Sequence, residues 1–149
     1  MHFTNAVLEE SFRCTGLVFA SVPHNTTAPI ECGGYTIPAN TSVFGNLYYI
    51  MNDPEVWEDP CAFKPERFLD QDGVFHHNER VIPFGIGKRY CMGQSLAEME
   101  YFLFFVGLIQ AFKFTPAKGE KLPSYHPDEY FPKNVIRNPP IFSVKMEKW

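Results

Sequence analysis

A chain of 149 residues can hold one domain with a real core and is short for two. Its 45% hydrophobic and 16% aromatic content excludes a disordered protein. A net charge of −4, with no basic run interleaved with aromatics, excludes a nucleic-acid partner.

The cysteines Cys14, Cys32, Cys61 and Cys91 are widely spread and form no C-x-x-C pair. A zinc site is therefore not expected, and free thiols in a reducing compartment are. Met1 to Glu10 has no basic segment followed by an apolar core, so it does not read as a signal peptide. The longest apolar run, Tyr101 to Ile109, falls well short of the roughly twenty residues that a membrane span needs. No anchor or signal is expected within this chain.

Thr4 to Cys14 predicts a helix, with Ala6, Val7, Leu8 and Phe12 on its buried side. Glu10 and Arg13 are three apart and so neighbours on its surface, where such a pair is usually exposed and contributes a few tenths of a kcal/mol. Thr15-Gly16 ends this helix. Leu17 to Val22 is apolar and β-leaning and leads into Pro23-His24-Asn25, where a histidine is ordinarily a surface or capping residue. Ile30 to Ile37 predicts strand, turn and strand around Gly33-Gly34. After a turn at Pro38-Ala39-Asn40, Thr41 to Ile50 is rich in β-branched and aromatic residues and reads as a strand.

Asp53, Pro54 and Glu55 supply a cap, a first-position proline and an early acid, predicting a short helix that ends by Asp59-Pro60. Cys61 to Pro83, dense in proline, glycine and charge, predicts meander and loop. His76-His77 with Glu79 reads as exposed polar loop rather than a metal site. The glycosylation sequons at Asn25 and Asn40 read as accidents.

Phe84-Gly85-Ile86-Gly87-Lys88-Arg89-Tyr90-Cys91-Met92-Gly93 carries the chemistry. Its glycines permit tight turns and close approach, and it delivers one cysteine to the start of a helix predicted over Gln94 to Phe112. Backbone N–H groups and the helix dipole favour a thiolate there, and Arg89 adds a planar cation suited to carboxylates. Tyr101 to Ile109 is apolar nearly all round, as in a helix buried within a larger protein. The proline-studded tail predicts short strands and turns.

The pattern Phe-x-x-Gly-x-Arg-x-Cys-x-Gly resembles the haem-binding loop of the cytochrome P-450 family, matching at Phe84, Gly87, Arg89, Cys91 and Gly93. The Glu10-x-x-Arg13 helix and the segment Pro65-Glu66-Arg67-Phe68 resemble two further motifs of that family, in the same order. Tyr35-Thr36-Ile37-Pro38 and Glu100 look most like the animal microsomal members; Glu98, where that group often has a basic residue, departs from them. The resemblance implies an α+β chain cut from a mainly helical parent fold. It would be the C-terminal, proximal part, holding the Glu-x-x-Arg helix, small sheets, meander, haem loop and following long helix. The N-terminal anchor and the distal helices of the parent would be absent.

By that resemblance Cys91 is the axial ligand of haem iron, and Arg89 and His24 hold its propionates. Phe84, Gly87 and Gly93 shape the loop, with Phe84 shielding the sulfur. Glu10, Arg13 and Arg67 form a buried network that locks the meander under the loop. Leu17, Val18, Phe19 and Ala20, with Val135 and Ile136, would contact substrate.

The implied function is haem-thiolate monooxygenation of a lipophilic substrate, with electrons from NADPH through a reductase or a small haem donor. The parent would sit on the cytosolic face of the endoplasmic reticulum membrane, held by its missing N-terminal part. A second reading is a truncated, inactive product that at most binds haem or a reductase. The chain alone is expected to be poorly soluble through exposed apolar faces.

Overall fold

The computed structural model describes residues 1–122, 136, 139 and 141–149. Its first element, helix α1 (His2–Thr15), buries a face through Ala6, Glu10 and Arg13, a spacing of four and three residues that stacks them on one side. Arg13 also lies in the last turn, where a cation complements the helix dipole. Gly16 closes α1 in the left-handed region at φ 48°. A Cβ there would stand 2.6 Å from the Tyr48 ring, so glycine is required both by conformation and by space.

Strand β1 (His24–Asn25) pairs antiparallel with β4 (Ser42–Val43). Between them β2 (Ile30–Cys32) and β3 (Tyr35–Ile37) form a hairpin, closed by Gly33 and Gly34 at φ 59° and 82°. Two successive positive φ angles are what a tight hairpin turn demands. The strand expected over Leu17 to Val22 does not form; only Val18 makes an isolated bridge, to Ile136. The backbone of this segment turns instead to the start of the next helix. Phe19 O accepts from Tyr48 N at 3.0 Å, and Ser21 N donates to Gly45 O at 2.9 Å.

Only Ser42–Val43 of the strand expected over Thr41 to Ile50 is a strand. From Leu47 the chain enters helix α2 (Leu47–Asn52), because the Asn46 side chain caps the Tyr49 amide and Leu47 and Met51 share one buried face. The helix expected at Asp53 is a single turn. Trp57 N donates to Asp53 O at 2.8 Å and the Asp53 carboxylate caps Glu55 N, but the ladder stops there.

The meander follows as expected, with a short 3-10 helix at Pro65–Phe68 and a bridge between Leu69 and Phe75. The core lies between α1, α2 and this meander: Ala6, Leu47, Met51, Trp57, Phe68 and Val81, with Phe12, Leu69, Phe75 and Ile82 packed on it. Helix α3 (Gln94–Ala111) comes next, and β5 (Phe112–Pro116) pairs antiparallel with β6 (Val144–Lys148). The all-apolar stretch of α3 stays uncovered in this chain, with Leu103 64% and Phe104 70% exposed. Among the described residues no helix is long and apolar enough to cross a membrane.

Candidate haem-ligand site

The meander ends in the core at Val81, and the cysteine loop springs from that fixed point. Gly85 N donates to Ile82 O at 3.0 Å, with Gly85 and Gly87 at φ 77° and 72°. Both positions lie where a side chain is strained. A single 3-10 turn, Gly87–Arg89, follows. Cys91 N then donates to Phe84 O at 2.9 Å, tying the cysteine to the residue that opened the loop. Cys91 O accepts from Gln94 N at 3.2 Å, and Gly93 caps α3. A Cβ on Gly93 would lie 3.8 Å from Cys91 Sγ, in ordinary contact with it. Gly85 and Gly87 are thus needed for conformation, whereas Gly93 keeps the flank of the sulfur clear.

The result is an exposed free thiol at the N-terminal end of an 18-residue helix. Among the described residues no three His, Cys, Asp or Glu side chains are gathered to hold a metal. A single cysteine sulfur could hold a metal that brings its other ligands with it, as haem iron does. Arg89 is exposed two residues before Cys91, and His24 is exposed on β1 opposite Val43. His76 and His77 are engaged elsewhere, with Asp70 at 2.8 Å and Glu9 at 2.6 Å.

The bridge from Val18 to Ile136 brings together the two segments expected to contact substrate. Leu17, Val18 and Ile136 present 59%, 37% and 54% of their surface. Phe19 is half-buried and Ala20 is buried. Val135 lies outside the described residues.

Glu10, Arg13 and Arg67 meet, as expected, in one buried cluster. Arg13 Nε and Nη2 donate to the two Glu10 oxygens at 2.7 and 2.9 Å, a bidentate pair with both side chains fully buried. Arg67 Nε reaches Glu10 Oε1 at 3.1 Å, and Lys64 N reaches the same oxygen at 2.8 Å. Arg13 spends its other donors on carbonyls, at 3.0 Å to Met51 and 2.9 Å to Pro60. The exposed pair that spacing alone suggests is therefore a buried hub joining α1, α2 and the meander.

Burial pushes the Glu10 carboxyl up, but the Arg13 hydrogen bonds, the Lys64 amide and the two guanidinium charges outweigh it and hold it below its ordinary range. Burial likewise pushes the Cys14 thiol up to about 12, which leaves it inert. Sequence reasoning missed Trp57, whose ring lies 5.2 Å from the Arg13 guanidinium and 5.9 Å from that of Arg67. No local pattern marks Trp57. Phe12, expected on the buried side of α1, does pack on the core, but its ring contacts with Phe84 and Tyr101 were not foreseen.

This arrangement is an exposed cysteine loop at the start of a long helix, with a buried ion network in the neighbouring core. The family model for cytochrome P450 matches residues 1–146, and the chain belongs to that family of haem-thiolate enzymes. It is 44% identical over 126 residues to cytochrome P450 2D26 of Rattus norvegicus, covering 85% of this chain and 25% of that protein. It is 46% identical over 123 residues to cytochrome P450 2U1 of Homo sapiens, covering 83% and 23%. Cytochrome P450 2D14 of Bos taurus is 44% identical over 126 residues, covering 85% and 25%. The chain thus spans about a quarter of the length of the curated relatives it matches.

Proposed function

We propose that these residues form the proximal, haem-binding part of a monooxygenase that inserts one atom of dioxygen into a lipophilic substrate. The observation that carries this reading is the exposed thiol of Cys91 at the start of α3, its backbone amide held by Phe84 O in a glycine-turned loop. Haem, when bound, supplies the dioxygen activation, which a thiolate ligand favours by donating electron density.

The rest is done by the chain. Cys91 would hold the iron through its sulfur as the thiolate. Arg89 supplies a fixed cation for a propionate, and His24 a second donor. Phe84, half-buried at the loop base, limits the access of water to the sulfur. The segments joined by the Val18–Ile136 bridge offer an apolar surface to substrate. Electrons would come from NADPH through a reductase, with the parent protein on the cytosolic face of the endoplasmic reticulum membrane.

An isotope experiment tests this. In a chimera, residues 1–149 replace the matching quarter of a curated relative, and the product is analysed after turnover under labelled dioxygen. One labelled oxygen per product, lost on Cys91→Ala, is expected. Oxygen drawn from water, or activity untouched by that substitution, would refute the reading.

A further inference from the structure

Phe12 sits between Glu10 and Arg13 in sequence, and its ring touches both arms of the cysteine loop. On one side it meets Phe84 edge-on, with centroids 5.5 Å apart and planes at 66°. On the other it meets Tyr101 of α3 at 5.0 Å, and Tyr101 goes on to Phe105 at 6.4 Å. Phe84 opens the loop and holds the Cys91 amide through its carbonyl, and α3 begins three residues after Cys91. One ring therefore spans the segment that precedes the sulfur and the helix that follows it.

Two further facts make that ring more than filler. Glu10 and Arg13 on either side of it are fully buried and bonded to α2 and the meander, so α1 cannot roll to relieve a misplaced Phe12. Beside the rings runs a cleft of about 230 Å³, lined by Phe12, Phe84, Glu9 and Glu98 among others. Phe84 thus borders open space, and among the described residues its ring contact is the edge-on one with Phe12.

We propose that Phe12 is a positioning residue for Cys91, carrying the rigidity of the Glu10–Arg13–Arg67 network through Phe84 to the sulfur. The assignment of a purpose to that rigidity rests on the reading of Cys91 as the haem ligand; the mechanical link does not.

Exchange of the Cys91 amide with deuterium reads the link directly, since that amide is the one held by Phe84 O. Labelling cysteine with nitrogen-15 gives one signal for each of the four cysteines, and buried Cys14 in α1 serves as the internal control. Phe12→Leu, which keeps most of the volume, should speed exchange at Cys91 by about two- to tenfold, the worth of an aromatic pair, and leave Cys14 unchanged. Phe12→Tyr, which keeps the ring, should restore the wild-type rate. Unchanged exchange at Cys91, or equal acceleration at Cys14, would overturn the proposal.

The same variants loaded with haem, reduced and exposed to carbon monoxide should show a smaller thiolate-type fraction in Phe12→Leu. If wild type and Cys91→Ala gave one and the same spectrum, the ligand reading would fall while the exchange result still decided the role of Phe12.

Discussion

Glu10→Gln is the most informative single change to the bracing network. The wild-type carboxylate accepts from Arg13 Nε and Nη2, Lys64 N and Arg67 Nε, at 2.7, 2.9, 2.8 and 3.1 Å. A glutamine keeps the shape but replaces one accepting oxygen with an NH2 group that faces existing donors. Whichever way it turns, at least one donor is orphaned, and Arg13, 0% exposed, loses its only buried counter-charge among the described residues. Breaking a buried pair from one side costs about 3–5 kcal/mol, against a domain stability of about 5–15 kcal/mol.

Urea unfolding followed by tryptophan fluorescence measures the loss, with Trp57 reporting because it faces both guanidinium groups. Because the folded Glu10 carboxyl is held below its ordinary 4.5, its contribution is full above that pH and is lost as pH falls through the lower folded value. The gap between wild type and Glu10→Gln should therefore narrow below pH 4.5. A loss under about 1 kcal/mol at neutral pH would refute the argument, since that is how a solvated surface pair behaves.

Gly16→Ala should destabilise by about 1–3 kcal/mol, because it forces a side chain into the left-handed region and against Tyr48; a thermal melt reads it. At pH 8, alkylation followed by peptide mass mapping should modify exposed Cys32 and Cys91 while Cys14, its thiol pushed up to about 12, stays unmodified in the folded protein. The Asp70 carboxylate is held low by its His76 hydrogen bond and by the Val74 and Asp72 amides. Protection of those two amides should accordingly be full above its ordinary 3.8 and fade as pH falls through its lower folded value. Asp70→Asn should weaken that protection at neutral pH.

The parts legible in the sequence were those fixed locally. Gly33-Gly34 admits a tight hairpin turn, Thr15-Gly16 a helix end, and the two glycines at 85 and 87 a loop that doubles back on Phe84. What misled was propensity without context. Tyr48, Tyr49 and Ile50 favour strands, yet an asparagine cap and the burial of Leu47 and Met51 on one face make α2. Asp53-Pro54-Glu55 carries every start signal of a helix, but Trp57 is drawn into the core and the turn goes no further.

Glu10 and Arg13 show the limit most clearly. Three-residue spacing alone describes an exposed pair, and nothing nearby in sequence reveals that Lys64, Arg67 and Met51 will enclose it. The candidate ligand Cys91 was readable because glycines and a helix start frame it. The place of Phe12 between loop and network needed the three-dimensional contacts.

The most direct test of the central claim is the absorption spectrum of the chain with added haem, reduced and exposed to carbon monoxide, beside Cys91→Ala. A far-red-shifted Soret band in the wild type and its absence in the variant is the predicted result, showing the Cys91 thiolate on the iron. The same histidine-type or free-haem spectrum from both proteins would contradict it.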